Sequence, residues 1–358
     1  MAFLPQIVES ELNDFVRAMA RKTSPDLTNV IEVSHPFLDQ LRKVGGVKFE
    51  NPGQGPVRDI QYASVRRVKK LSRTKKTGER EKAGSQTTTT AQYNWIMYMA
   101  TMYVDKFTFH NTMGGDAQLS YLKERQDERD RELHKQLVED IWNGDTVGTT
   151  PVWGLKDAIQ FVPTADPDRG AVGGISVTDV PTWKNYASNF NGPYATYVNG
   201  AQTLTFLDSG TSSLGTLYRN CCNNDDQKNE KGCPKLMPSN EAMIRYCEGL
   251  SRAGLLRQDG NETRDFGIEG FRYKKAIIYW DNDCPVDPND NSRAVSFLIN
   301  PYSFEVIFAK GLERMVGPQV IEQSDGSYTW DITSQASIAV KDRRRNGVFY
   351  GVTETSAS

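Results

Sequence analysis

Histidine is scarce in this 358-residue chain, which has only His35, His110 and His134, in three distant segments. No apolar run approaches the roughly 20 residues that span a bilayer. There is no Gly-x-Ser-x-Gly, no His-Glu-x-x-His and no glycine-rich loop ending in Gly-Lys-Ser/Thr. Serine-hydrolase, zinc-protease and P-loop chemistry therefore have no candidate. His134 falls in a charged helical pattern, where a solvated side chain is expected. Neither charge is in surplus, with 43 basic against 45 acidic residues. The start, Met1-Ala2-Phe3-Leu4-Pro5-Gln6, lacks a basic stretch followed by an apolar block. A signal peptide is not expected, and folding in a cytoplasm is.

Cysteine is also sparse and odd in number. Cys221, Cys222, Cys233 and Cys247 share one region, but adjacent cysteines followed by gaps of ten and thirteen residues do not match paired C-x2-C zinc spacing. The expectation is small buried or half-exposed thiols, with neither metal nor disulfide. Asp281 to Asn291 looks like a cation loop but lacks the sixth-position glycine and closing glutamate of an EF-hand. A surface turn is the reading its Asp, Asn and Pro support.

The apolar fraction is low. Counted with glycine in place of tyrosine it is about 42%, against the usual ~45–50%. The leanness has a pattern along the chain. Ile7, Val8, Leu12, Phe15, Val16 and Met19 recur at three and four residues, one face of a short amphipathic helix that stops near Pro25. A second short pattern, Pro36 to Leu41, ends at Gly45-Gly46. Neither buries its face alone, so residues 1–56 read as an arm lying on something else.

Between Val57 and Lys82 stand ten Lys/Arg and three acids. Strand-like alternation begins at Ile60, turns at Thr77-Gly78, and returns through Thr87–Thr90 to Tyr93, Trp95, Met97 and Tyr98. This outlines a long hairpin with a basic tip carrying Arg66, Arg67, Lys69, Lys70, Arg73, Lys75, Lys76, Arg80 and Lys82. Docking on a sister subunit, neutralising nucleic-acid phosphates and a solvated tip all stay open, the first preferred because the rest of the chain is acidic.

The strongest helix spans Asp116 to Trp142, with Asp116 expected as its cap and Asn143-Gly144 as its stop. Its middle, with Lys123, Glu124, Arg125, Asp127, Glu128, Arg129, Asp130, Arg131 and Glu132, has no apolar residue. Such a stretch suits an exposed surface or an intermolecular seam, held by i,i+4 pairs such as Lys123/Asp127 and Asp127/Arg131. Leu133, Leu137, Val138, Ile141 and Trp142 form its docking end. Further on, helices are expected over Thr211–Asn220 and Ser239–Ala253. Strands are expected at Tyr273–Trp280, Val295–Ile299, Glu305–Lys310, Tyr328–Ile332, Ile338–Val340 and Val348–Val352.

The order of parts resembles the major capsid proteins of tailed phages, with the Hong Kong 97-type fold. Ile141-Trp142-Asn143-Gly144-Asp145 followed by Gly154-Leu155-Lys156-Asp157 is similar to the end of that family's spine helix. Val172-Gly173-Gly174-Ile175 with Trp183-Lys184-Asn185 resembles its Gly-Gly-Ile and Trp segment. Pro234–Ser239 leading to Tyr246, Phe271–Ile278 with Asp281 and Pro285, Phe297–Pro301, and Arg343–Val348 resemble its later strands and axial helix.

The resemblance implies an α+β fold. Its parts are an N-terminal arm (1–56), an extended loop (57–100), a peripheral domain with the spine helix (101–160), an axial domain (161–300) and a return to the peripheral domain (301–358). It implies a structural protein with no catalysis, cofactor or metal, self-assembling as hexamers and pentamers into an icosahedral phage head around double-stranded DNA. Assembly would occur in the host bacterial cytoplasm, and the product would be the virion capsid. The basic hairpin and the charge seam of the spine helix would be inter-subunit contacts. No long charged coiled-coil pattern precedes the arm, so a separate scaffolding protein is expected. A portal protein at one vertex, a cement protein and non-specifically held DNA complete the implied partners, with no membrane. Some relatives cross-link a loop lysine to a neighbour's asparagine, but no lysine here stands out for that role. An encapsulin-type compartment is the alternative within the fold, and a nucleic-acid-binding protein using residues 66–82 the alternative outside it.

Overall fold

A long helix laid across one face of a six-stranded sheet, beside a second six-stranded sheet, carries the architecture of the computed structural model. The structure describes residues 36–53, 55–61, 88–105, 114–147, 150–193, 196–198, 201–203, 212–222, 232–252, 270–317, 320–321 and 327–353. The elements begin with α1 (Pro36–Lys43), β1 (Val47–Glu50), β2 (Val57–Gln61), β3 (Thr88–Gln92) and β4 (Ile96–Val104). The long helix α2 (Gly114–Asn143) leads to β5 (Asp145–Val147), β6 (Thr150–Val152) and the short α3 (Leu155–Ala158). Next come β7 (Tyr186–Pro193), β8 (Thr196–Val198), β9 (Ala201–Thr203), α4 (Leu214–Cys222), β10 (Leu236–Ser239) and α5 (Glu241–Arg252). The remainder is strand: β11 (Gly270–Tyr273), β12 (Ala276–Trp280), β13 (Ala294–Leu298), β14 (Phe304–Ala309), β15 (Met315–Val316), β16 (Val320–Ile321), β17 (Tyr328–Val340) and β18 (Gly347–Thr353).

In the first sheet the order is β1-β14-β17-β15, with β16 and β4 also on β17. β17 is one unbroken strand where the sequence suggests two, because its first nine residues pair antiparallel with all of β4, from Tyr328↔Val104 to Ala336↔Ile96, and β14 takes over from Ala336 to Val340. That pairing also corrects the hairpin. β2 and β3 do pair, from Val57↔Gln92 to Gln61↔Thr88. The return strand stops there, however, and Met97 and Tyr98 belong to the sheet instead. Strict alternation along β4 buries Ile96, Tyr98, Met102 and Val104 on the face toward α2.

The second sheet runs β11-β12-β10-β13-β18-β7. β18 lies in this sheet, so the C-terminal segment does not return wholly to the first one. One core joins both sheets around Trp142, whose ring meets Phe37 at 5.4 Å and Phe297 edge-on at 5.6 Å. α1 carries Phe37, Leu38 and Leu41 into this core, so this part of the expected arm packs on its own chain. A second core gathers Leu214, Leu217, Met243 and Phe271 under α4 and α5. α5 starts at Glu241, two residues after the expected Ser239, and Asn240 caps it with Oδ1 accepting from Met243 N at 3.1 Å.

Cys222 and Cys233 are joined as a disulfide in the second core, against the expectation of free thiols. Spacing alone could not show it, because the two cysteines meet only where α4 and the segment leading into β10 enter the same core. Cys221, Cys247 and Cys284 are buried thiols, and burial pushes each away from ionisation, as an inert structural cysteine requires. Between Asp281 and Ser292 the carboxylates of Asp281, Asp287 and Asp290 each accept a backbone N–H two residues on. The segment is a series of Asx turns.

Candidate functional site

The nine basic residues of the hairpin tip, Arg66 to Lys82, lie outside the described residues. Its base is described, and a charge cluster fixes it. Glu305 stands alone among apolar residues in β14 and is almost completely buried. Three cations converge on its carboxylate. Lys48 comes from β1, Arg58 from β2 at 3.0 Å, and Lys341 from the end of β17 at 2.6 Å. Arg58 also pairs with Glu50. Burial opposes ionisation of Glu305, yet hydrogen bonds from Lys341 and Lys48 outweigh it and hold the carboxyl below its ordinary 4.5. Directly after β3, Tyr93 donates to Val340 O at 2.7 Å and meets Trp153 edge-on. The base of the hairpin, β2 and β3, is thus fixed to the first sheet.

The helix seam differs from its reading in sequence. α2 starts at Gly114, so Asp116 lies inside the first turn and is not the cap. Lys123, Glu124, Asp127, Glu128, Arg131 and Glu132 are exposed, with Arg125 and Arg129 half-buried. The ion pairs formed are Arg125–Glu128 at 2.9 Å and Arg129–Glu132, three residues apart. Leu122, Gln126 and Asp130 are buried, so the charged middle is not exposed all round. His134 is buried too, on the turn where the helix meets the core. Composition hides this because the inward stripe recurs every four residues and three of its four members, Gln126, Asp130 and His134, are polar.

Asp130 is held by Arg314 at 2.6 Å, and both side chains are buried. Burial raises the Asp130 carboxyl to about 6 despite the neighbouring guanidinium. Nε and Nη1 of Arg314 find no acceptor among the described residues, so the pair is incompletely satisfied. Breaking such a pair strands a charge at about 3–5 kcal/mol, while apolar replacement of both is often neutral or better. Asp130→Leu and Arg314→Met should each lower the urea midpoint, and the double variant should recover most of the loss.

A junction joins the two sheets at the end of α2. Gly144, at φ +67°, ends the helix and donates to Asp140 O at 2.8 Å. Gly154 lies directly on it, so close that a Cβ there would fall 2.2 Å from Gly144 N. Asp157 accepts from Gly154 N at 3.0 Å and pairs with Arg169, which also donates to Asn143 O at 2.8 Å. The obstruction is backbone and cannot swing aside. Gly154→Ala should therefore cost about 2–3 kcal/mol in denaturant unfolding, at the upper end for overpacking.

Arg343 enters the same junction fully buried. Nε donates to Ala158 O at 2.9 Å, Nη1 to Trp183 O at 3.3 Å, and Nη2 to Asp157 O and Gln160 Oε1 at 3.1 Å each. Trp183 Nε1 in turn donates to Val172 O, and Asn300 N donates to Asn346 Oδ1 at 2.8 Å. The short motifs scattered along the sequence meet here. Glu305, Arg314 and the individual part of Arg343 escaped the sequence reading. A lone charge in an apolar strand was the available signal for Glu305, but nothing in Arg343-Arg344-Arg345 shows which arginine turns inward.

The path of the chain is similar to that of solved shell proteins. The capsid protein of cyanophage A-1(L) superposes with a TM-score of 0.52 at 14% identity, covering 88% of this chain and 93% of that one. The SrpI encapsulin of Synechococcus elongatus superposes at 0.51 and 9% identity, covering 89% and 90%. The chain has the Hong Kong 97-type fold. No family model matches its sequence, and no curated protein does. The likeness lies in the path of the chain and hardly at all in residue identity.

Proposed function

We propose that the chain is the major capsid protein of a tailed phage, assembling as hexamers and pentamers into an icosahedral head around double-stranded DNA. The supporting observation is the near-complete coverage of a phage capsid subunit by this fold. The rigidly based hairpin adds to it, since a projection fixed at its root can deliver a basic tip to a neighbour. Closed symmetric assembly repeats one set of patches around each axis. The tip, Arg66 to Lys82, and the exposed charges of α2 are the patches assigned to that contact. The domain limits are those of arm, loop, peripheral and axial parts, with the loop now ending near residue 93 and β18 assigned to the axial sheet. The role is structural, its place is the virion shell, and assembly takes place in the bacterial cytoplasm. A scaffolding protein, a portal and a cement protein are the proposed companions.

The encapsulin likeness favours a second reading, a compartment enclosing protein cargo. Negative-stain microscopy of the purified chain, followed by analysis of the contents, tests both. Shells or rings are expected, with DNA inside particles recovered from infected cells. Persistent monomers at high concentration would overturn the shell reading, and enclosed enzyme instead of DNA would favour the compartment. Changing Lys69, Lys70, Lys75 and Lys76 together to Glu should abolish shells while leaving a folded subunit.

A further inference from the structure

Cys222 and Cys233 are bonded in a protein whose proposed place of assembly keeps thiols reduced. Cys222 is the last residue of α4, and Cys233 stands in the segment that leads into β10. α4 packs on β18 so closely that a Cβ on Gly347 would fall 2.9 Å from Cys221 Sγ. β18 and β10 stand on either side of β13. The bond therefore ties the helix lying on one strand to the approach of another, across the strand between them.

Other contacts hold the same two segments together. One turn before Cys222, the Tyr218 hydroxyl donates at 3.5 Å to the carbonyl of Pro234, the residue after Cys233. The Tyr218 ring meets Tyr273 edge-on at 5.9 Å, and Lys274 Nζ stands 5.1 Å from its centre. Residues four apart on a helix share a face, so the contact that sets Tyr218 against Pro234 also brings Cys222 to Cys233. Around them Leu214, Leu217, Met243 and Phe271 bury an apolar core that does not need the bond. Two groups placed in this way react as one unimolecular step. Cys221, Cys247 and Cys284 are buried and held away from ionisation, and thiolates are the species that exchange with disulfides.

We propose, on the reading that assembly is cytoplasmic, that Cys222 and Cys233 are a lock closed after folding. They are two thiols in the cytoplasm and become a disulfide once the protein meets an oxidising medium. The oxidant is the disulfide of a small thiol, such as oxidised glutathione. Cys222 ends its helix, where the last turn frays, and its thiolate attacks one glutathione sulfur and releases the other half. The Cys233 thiolate then attacks Cys222 Sγ and releases the second half. Two protein thiols are oxidised, one glutathione disulfide is reduced, and the two protons end on two glutathione thiols. The closed lock removes freedom from the unfolded chain over a separation of 11 residues.

The full chain, expressed in a bacterial cytoplasm, quenched in acid and alkylated after denaturation, reveals its thiols by intact mass. One label on each of the five cysteines is expected. After the native protein meets oxidised glutathione, the pair should lose its labels, and a peptide should join residues 222 and 233. Urea unfolding should show the reduced chain folded, and the oxidised form should melt about 5 °C higher. Cys233→Ser should gain nothing from the oxidant. A bond already present in the cytoplasm, unchanged labelling, a lasting glutathione adduct or a different pairing would each overturn the proposal. So would a reduced chain that does not fold, equal melting points, or equal gain by Cys233→Ser. Microscopy of the same samples scores shell formation separately, so shells without the lock and the lock without shells are distinct results.

Discussion

Arg343→Met is expected to be the most damaging single change in the chain, costing about 3–5 kcal/mol. Removing the guanidinium relieves the desolvation that pushes its pKa down to about 10. It also strands the carbonyls of Asp157, Ala158 and Trp183 and the amide oxygen of Gln160. Each buried acceptor left without a donor costs about 1–3 kcal/mol, so the loss outweighs the relief even if one or two find substitutes. Arg343→Lys should fall between, because one ammonium cannot reach acceptors arranged around a planar fork. Urea unfolding followed by tryptophan fluorescence measures the change. A loss below about 1 kcal/mol would mean that the junction does not depend on this side chain.

Glu305→Gln ranks next and has a different signature. The substitution keeps the shape but leaves Lys48, Arg58 and Lys341 facing one another without their common anion. Loss of a buried partner of this kind costs about 3–5 kcal/mol. Amide exchange should accelerate over 57–61 and 88–92, where the hairpin base loses its anchor, more than in β17. The pH dependence follows from the direction of the shift. The folded carboxyl titrates below 4.5, so its contribution is complete above that value and disappears as pH falls through the folded pKa. Asp130 acts in the opposite sense. Its folded pKa of about 6 exceeds the ordinary 3.8, so stability is lost as pH rises between those values. In Glu305→Gln the loss below pH 4.5 should shrink, while the Asp130 contribution remains.

The long helix, the hairpin and most strands were legible because each has a local cause. α2 is a 30-residue helical pattern ended by Asn143-Gly144, and a glycine at positive φ closes it whatever the surroundings. β14 and β18 are apolar runs of the length a buried strand needs. Boundaries failed where two segments compete for one pairing. Trp95 to Tyr98 read as a hairpin return because alternation is the same in either partner, and only the nine-residue ladder with β17 assigns Ile96–Val104 to the sheet.

The charges were legible as composition and opaque as interactions. Asp130 looks like any other member of its charged run, and it is buried only because Arg314, 184 residues away, stands opposite. The same holds for the disulfide and for His134. Taken alone, the sequence determined the kinds and order of the described elements, the paired base of the hairpin and the resemblance to a shell protein, since these rest on local pattern and motif order. Tertiary structure alone decided which charges are buried and which arginine fills the junction. Those depend on contacts between segments far apart in the chain, and burial changes a charge's energy by several kcal/mol without leaving a mark on its neighbours in sequence.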